Sequence, residues 1–309
     1  MKIQTIHKLK LPFDKKVRGL NWLCNRITEN AENYLIRKCD IFESIQTNTH
    51  KEKLILSMTT YPAREGVVGL TIKSLLNQNT PVDRFVIWLA EEQYPDKKIP
   101  DVFQEFLSYG VEIKFCDDLR SHKKYYYTMQ ENPNDLVITV DDDVIYPENT
   151  IEKLLRGHEK YPDTVICNQA RWVELKDNKF APYSDWKTYL PKQIKYPNFA
   201  ILPIGCGGVL YPPKSLSELV FDKELIHLLA PYGDDLWLKF MEIYNGTRAM
   251  VSCDHQRGLS DVKTKGVLQR LSNHNVNGGM NDKAITMLSD YFPEIKDKIK
   301  NDIQIVNYM

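Results

Sequence analysis

The stretch VITVDDDVIYP, residues 137–147, sets three carboxylates, Asp141, Asp142 and Asp143, directly after a β-branched run. Adjacent carboxylates repel one another, so a chain that keeps them together needs a cation or solvent to neutralise them. In an extended segment residues i and i+2 point to the same side. Asp141 and Asp143 are therefore expected to converge while Asp142 faces elsewhere. Two carboxylates at the end of a buried strand make a hard-oxygen site suited to Mg2+ or Mn2+, completed by water and substrate phosphates. The same residues also read as a solvated acidic turn in which an aspartate caps the next helix.

The metal chemistry narrows by what is absent. The first strand is followed by TTYPARE rather than GxGxxG, which argues against a dinucleotide fold, and no GxxxxGK[ST] is present. A phosphatase with an aspartyl nucleophile also places Asp-x-Asp after a strand, but near the start of its domain, whereas four strands come before this motif. Transfer from a nucleotide diphosphate remains, with the metal bridging the diphosphate and stabilising the departing charge.

The elements that must position these residues are legible as alternating patterns. KLILSMTT, RFVIWLA, VEIKFC and LVITV read as buried strands, and TVIC as a later one. Between them GVVGLTIKSLLNQ carries Val68, Ile72, Leu75 and Leu76 on one helical face. DVFQEFLSYG is a short helix with Gly110 as its C-cap. KKYYYTMQEN and ENTIEKLLRGHEKYP are further helices. Such alternation predicts an α/β fold with a mostly parallel sheet covered by helices on both faces. Ligands of such sheets bind beyond the carboxyl ends of the strands, where the aspartates lie. The second half is less regular. APYSDWKTYLPKQIKYPNF reads as a long aromatic loop, ILPIGCGGVLYPP as strand–turn–strand, DDLWLKFMEIYNG as an amphipathic helix, and residues 258–281 as a polar Gly/Asn-rich stretch.

The 309 residues are 42% hydrophobic, enough for an ample core. Lysine plus arginine equal aspartate plus glutamate, 41 against 41, which argues against a nucleic-acid partner. Six scattered cysteines, with neither a CxxC pair nor zinc spacing, suggest reduced thiols in a cytoplasmic protein. The N-terminal residues lack the apolar core of a signal peptide, and no run approaches the length of a membrane span. Residues 1–50 are set apart as a basic helical extension, with nine Lys/Arg against five Asp/Glu, and residues 51–309 as the main domain. Leu20, Leu23 and Ile27 lie at helical spacing in that extension. This spacing fits a helix packed on its own domain, and equally a helix on the inner face of the cytoplasmic membrane as a peripheral contact.

In their order, SMTTYPAR, SLLNQ, WLAEEQYP, DLRSHKKYYYTM, VDDDVIYP, GGVLYPP and GDDLWL resemble the GT-A-fold nucleotide-sugar glycosyltransferases, family 2 in type, that build bacterial surface polysaccharides. The likeness covers about residues 54–290. It implies a GT-A, Rossmann-like sheet and makes VDDDVIYP the DxD motif. Asp143 is then the metal ligand. Asp141 contacts the donor ribose or a metal-bound water, and Asp142 belongs to the same donor contact. Thr60, Tyr61 and Arg64 form the donor-base pocket, and Lys124, chosen over Lys123, faces the donor. Asp235, with Asp234 beside it, becomes the base that takes the acceptor hydroxyl's proton; Asp234 also fits a helix N-cap. A late histidine, His274 rather than His255, would complete the metal shell. Attack assisted by Asp235 implies inversion at the anomeric carbon.

The resemblance thus implies Mn2+ or Mg2+, a nucleotide-diphosphate sugar (commonly a UDP-sugar) as donor, and a glycan or lipid-linked glycan as acceptor, in lipopolysaccharide or capsule synthesis. Tyr183, Trp186 and Tyr189 suit stacking on acceptor sugar rings, or packing within their own loop. Two alternatives use the same residues: a metal-dependent phosphohydrolase, and a GT-A domain that binds glycans without turnover.

Overall fold

The computed structural model describes residues 18–40, 45, 52–188, 194–252, 259–262 and 279–308. Helix α1 (Arg18–Lys38) is followed by a regular alternation. It comprises β1 (Leu54–Thr59), α2 (Glu65–Leu76), β2 (Arg84–Ala90), α3 (Asp101–Leu107), β3 (Val111–Cys116), α4 (Lys123–Glu131) and β4 (Leu136–Thr139). The chain continues through β5 (Val144–Ile145), α5 (Thr150–Lys160), β6 (Val165–Cys167), β7 (Ala170–Trp172), β8 (Leu175–Lys176) and β9 (Lys179–Phe180). After these come β10 (Ile201–Pro203), β11 (Val209–Tyr211), α6 (Lys223–Leu229), α7 (Asp234–Tyr244), β12 (Ala249–Val251), β13 (Ser260–Asp261), α8 (Met280–Tyr291) and α9 (Glu294–Tyr308).

Seven strands form the central sheet in the order β12-β6-β11-β4-β1-β2-β3. Strands β3, β2, β1 and β4 pair in parallel, as do β6 and β12, while β11 is antiparallel to both of its neighbours. The 3-2-1-4 order is that of half a doubly wound sheet, so this is the mostly parallel α/β sheet of a GT-A, Rossmann-like fold. Register explains its stability. Phe85, Leu56, Ile138, Leu210 and Ile166 are successive cross-strand partners and belong to one buried cluster. Ile55, Val86 and Val137, one residue out of step, bury on the opposite face. A side chain fully buried in such a row is worth about 2 kcal/mol, and Ile138→Ala at its centre would cost about 2–5 kcal/mol once the cavity is counted.

Several expected elements take a different form. The two strands of ILPIGCGGVLYPP do not pair with each other. β10 pairs with β7, and β11 enters the central sheet. In the long loop, Tyr183 and Trp186 are buried against each other with ring centroids 5.3 Å apart, and the Trp186 indole donates to the Ala181 carbonyl at 2.9 Å. Their faces are used by the core rather than offered to a sugar; Tyr189 lies outside the described residues. Helix α1 is joined to the main domain through Ile36, which clusters with Val67, Ile145 and Val262. The cysteines among the described residues are free thiols, with Cys116 and Cys167 buried and the others partly so. No helix among the described residues is long and apolar enough to cross a membrane.

Candidate active site

Strand β4 ends at Thr139, and the three aspartates turn away from its line before β5 begins. Asp142 and Asp143 lie in a turn rather than in the extended backbone expected of them. Each aspartate instead meets its own partner. Asp141 Oδ1 lies 2.6 Å from Lys124 Nζ, and its backbone N–H donates to the Tyr146 hydroxyl at 2.9 Å. Asp142 is buried; its carboxylate accepts from Thr60 Oγ1 at 2.5 Å, and its carbonyl accepts from Thr71 Oγ1 at 2.9 Å. Burial, with the Asp143 charge beside it, pushes the Asp142 carboxyl up to about 7. Asp143 accepts from Arg64 Nη1 at 2.6 Å. None of the three caps the following helix, whose N-cap position is Asn149.

The cations at these carboxylates are not solvated surface charges. Arg64 is 6% exposed and Lys124 is 3% exposed. Arg64 reaches back from the turn after β1, and its Nε donates to the Tyr61 hydroxyl at 3.3 Å. Lys124 stands on the first turn of α4, whose backbone is fixed by Ser57: the Ser57 hydroxyl donates to the Lys124 carbonyl at 2.6 Å. Burial alone would lower the Lys124 pKa, but the charges of Asp141, Asp234 and Asp235 outweigh it and raise it well above the ordinary lysine value. Lys123, the other lysine of the pair, turns away to Asp118.

Lys124 also joins the second acidic motif to the first. Its Nζ lies 2.8 Å from Asp234 Oδ2. Asp234 is the first residue of α7, and the N-cap position expected of it is held by Gly233. Burial pushes its carboxyl up, and Lys124 more than offsets this to leave it below the usual range. Asp235 behaves oppositely: burial and the adjacent Asp234 charge raise it. Its Oδ1 accepts the Gly205 backbone N–H at 3.0 Å. A Cβ on Gly205 would stand 2.8 Å from Lys124 Nζ, 2.9 Å from Asp235 Oδ1 and 3.5 Å from Asp141 Oδ1. The glycine is thus required by close approach.

Two loops lock the two halves of this site. The Arg120 guanidinium lies 4.1 Å from the Tyr232 ring centroid and donates to the Pro231 carbonyl at 3.2 Å, while His122 Nε2 and the Ala230 carbonyl are 2.8 Å apart. These contacts hold the segment before α4 against the segment before α7. They went unread in the sequence because they join positions more than a hundred residues apart. Gly205 and Tyr146 carry no local signal of their roles either, beyond the glycine-rich setting of the first.

Among the described residues no group of three or more His, Cys, Asp or Glu is gathered for a metal. His274 and His255 lie outside the described residues. Asp141 and Asp143 keep 34% and 26% of their side chains exposed. Two accessible carboxylates fit a hard divalent ion that retains water and binds mainly substrate phosphate.

The model of the family described as glycosyl transferase family 2 matches residues 56–219, more than half of the chain. The chain belongs to glycosyl transferase family 2. The matched span runs from β1 through the three aspartates, Gly205 and β11, and ends before α7. Asp234 and Asp235 of this family-2 chain are therefore brought to the site by the fold outside the matched segment. No curated protein matches the chain. Among solved structures, the mannosyltransferase PcManGT from Pyrobaculum calidifontis, in complex with GDP-Man and Mn2+, is 9% identical with a TM-score of 0.42, covering 81% of this chain and 66% of that one. A CMP:2-keto-3-deoxy-manno-octonic acid synthetase complexed with CTP is 12% identical with a TM-score of 0.38, covering 65% of this chain and 89% of that one. Likenesses this distant carry no argument about the chemistry of the family-2 chain.

Proposed function

We propose that this protein transfers a sugar from a nucleotide-diphosphate donor, a UDP-sugar in the first instance, to a glycan or lipid-linked glycan acceptor, with inversion at the anomeric carbon. The observation that carries the reading is the position of Asp235. It sits at the start of a helix, oriented by the Gly205 N–H, beside a Lys124–Asp141 pair at the end of the sheet. A raised carboxyl is suited to general-base work near neutral pH. In the reaction the acceptor oxygen forms its bond to the anomeric carbon as the bond from that carbon to the diphosphate oxygen breaks. The acceptor proton passes to Asp235, and the nucleoside diphosphate leaves with the bonding pair.

Lys124 and Arg64 supply fixed positive charge on the side where negative charge develops on the diphosphate. Thr60 and Tyr61 belong to the donor-base pocket of this reading. A divalent ion, Mn2+ or Mg2+, held by Asp143 and Asp141 would add Lewis-acid stabilisation of the leaving diphosphate. The biological setting of the reading is surface polysaccharide synthesis on the cytoplasmic side of the membrane.

The test is donor turnover by the purified chain across a panel of nucleotide sugars, with Mn2+ or with chelator, reading released nucleotide and the anomeric configuration of the product. Chelator-sensitive release with an inverted product supports the reading. Release of inorganic phosphate without sugar transfer would assign a hydrolase instead, and a product that keeps the donor's configuration would remove Asp235 as the base of a single displacement.

A further inference from the structure

Strand β7 begins at the glycine loop that orients Asp235. The Ile204 N–H donates to the Gln169 carbonyl at 3.0 Å, and the Cys206 thiol lies 3.6 Å from Gln169 Oε1. Along β7 the side chains alternate. Ala170 and Trp172 are buried in the core, so Arg171 between them faces the other way, and it is partly buried there. Its Nη1 donates to the Trp186 carbonyl at 3.0 Å, and its guanidinium carbon lies 4.8 Å from the Tyr183 ring centroid. The Tyr183 hydroxyl is pushed up by burial and by the charge of Asp235, and pulled down by Arg171, so this ring lies within electrostatic reach of both. Among the described residues no carboxylate comes within ion-pair distance of Arg171. The acids of its surroundings are engaged elsewhere: Glu174 pairs with Lys187 at 2.5 Å, and Asp282 accepts the Tyr183 N–H at 2.7 Å. By contrast, Arg64 is paired with Asp143 and Arg84 with Glu112. A guanidinium has five N–H donors. One carbonyl and one aromatic face recover only part of the cost of taking its charge out of water.

We infer that Arg171 binds an anionic oxygen group on the acceptor, a carboxylate or a phosphate, so that the acceptor is an acidic or phosphorylated glycan rather than a neutral one. The guanidinium fork matches either oxyanion through two parallel hydrogen bonds. Tyr183 and the Trp186 carbonyl hold the fork in place before the anion arrives, so little side-chain freedom remains to be lost on binding. The assignment to the acceptor rests on the proposed transfer reaction, in which Asp235 marks the acceptor side while Lys124 and Arg64 face the diphosphate. The unpaired guanidinium beside Tyr183 is independent of that reading.

The experiment is calorimetric titration of the full chain, with and without UDP and Mn2+, against three probes: p-nitrophenyl glucoside, p-nitrophenyl glucuronide and p-nitrophenyl glucoside 6-phosphate. At least one charged probe is expected to bind about tenfold or more tightly than the neutral one. Preference for the glucuronide identifies a carboxylate, and preference for the 6-phosphate identifies a phosphate. Arg171→Gln is expected to abolish the preference, and Arg171→Lys, which keeps the charge without the fork, to restore part of it. A purely structural role for Arg171 would weaken all three probes alike and leave their ratio unchanged. Equal affinity for the three probes, no binding of either charged probe, or a preference that survives Arg171→Gln overturns the inference. Nucleotide release across the donor panel, measured on the same preparations, reports separately on the transfer reading: a charge preference without release from any donor supports the anion site and removes only the transfer reading.

Discussion

The backbone N–H of Gly205 lies 3.0 Å from Oδ1 of Asp235, so the loop that leads into β11 orients the carboxylate at the start of α7. Gly205→Ala would bring a methyl group within 3 Å of both Lys124 Nζ and Asp235 Oδ1. Both are side-chain ends that can move, so the fold survives while the working atoms shift. The expected result is a fall in kcat of about one hundredfold, the scale on which misplacement by an ångström acts, with a melting temperature near that of wild type. Unchanged turnover would remove Gly205 from the positioning of the base.

Lys124 neutralises carboxylates from two distant motifs. Lys124→Met keeps the bulk of the side chain and leaves Asp234 buried without its cation. Loss of one partner of a buried pair costs about 3 kcal/mol. Urea denaturation is expected to register that loss, and turnover is expected to vanish. A variant as stable as wild type would mean that water or rearrangement supplies the missing charge.

Asp143 pairs with Arg64, and the proposed transfer reaction makes it the ligand of the divalent ion. Asp143→Ala is expected to abolish Mn2+-dependent turnover while the circular dichroism spectrum remains that of the folded chain. Full activity in this variant would sink the assignment of the acidic motif.

His122 is fully buried between the Ala230 carbonyl and the Tyr125 hydroxyl. Burial pushes its pKa down from 6.5 to about 4, outweighing the pull of Asp234 in the other direction. In that window the unfolded chain takes up a proton at this site that the folded chain refuses. The contribution is thus complete above pH 6.5 and is lost as pH falls toward 4, amounting to about 3 kcal/mol. Raised carboxylates elsewhere act with the opposite sign, so the comparison must isolate this residue. Wild type is expected to lose stability relative to His122→Gln as pH falls through that window. Parallel stability curves for the two proteins would contradict it.

How far the molecule could be read from its sequence follows the range of each signal. Buried strands such as Leu54–Thr59 and Arg84–Ala90 are continuous apolar runs, and the helices between them repeat at helical spacing, so the parallel half of the sheet was legible. Lys124 and Arg64 were identifiable as residue types near the acidic motif, but their burial was not, because it depends on Asp141 and Asp143 closing over them. The extended backbone expected through the three aspartates is replaced by a turn at Asp142 and Asp143, which no local pattern announces. The pairing of β11 with β4 and β6, rather than with β10, is set by register across the core and leaves no local trace. Tyr183 and Trp186 fit either stacking on a sugar or packing within their own loop by residue type alone, and burial against each other selects packing.

Strand β11 is the one antiparallel member of the central sheet, and it is inserted between β4 and β6 long after both have been made. During synthesis the β3-β2-β1-β4 half can assemble early, but β4 then presents an open hydrogen-bonding edge until β11 emerges. Non-local insertion of this kind slows folding, and an open edge invites pairing with other chains. Thr139, two residues before Asp141, pairs with Val209, four residues after Gly205. The strand that seals the edge is therefore the same strand that brings the Gly205 loop to Asp141. Closing the edge of β4 and completing the pocket around Asp141 are thus one and the same step in the assembly of this fold.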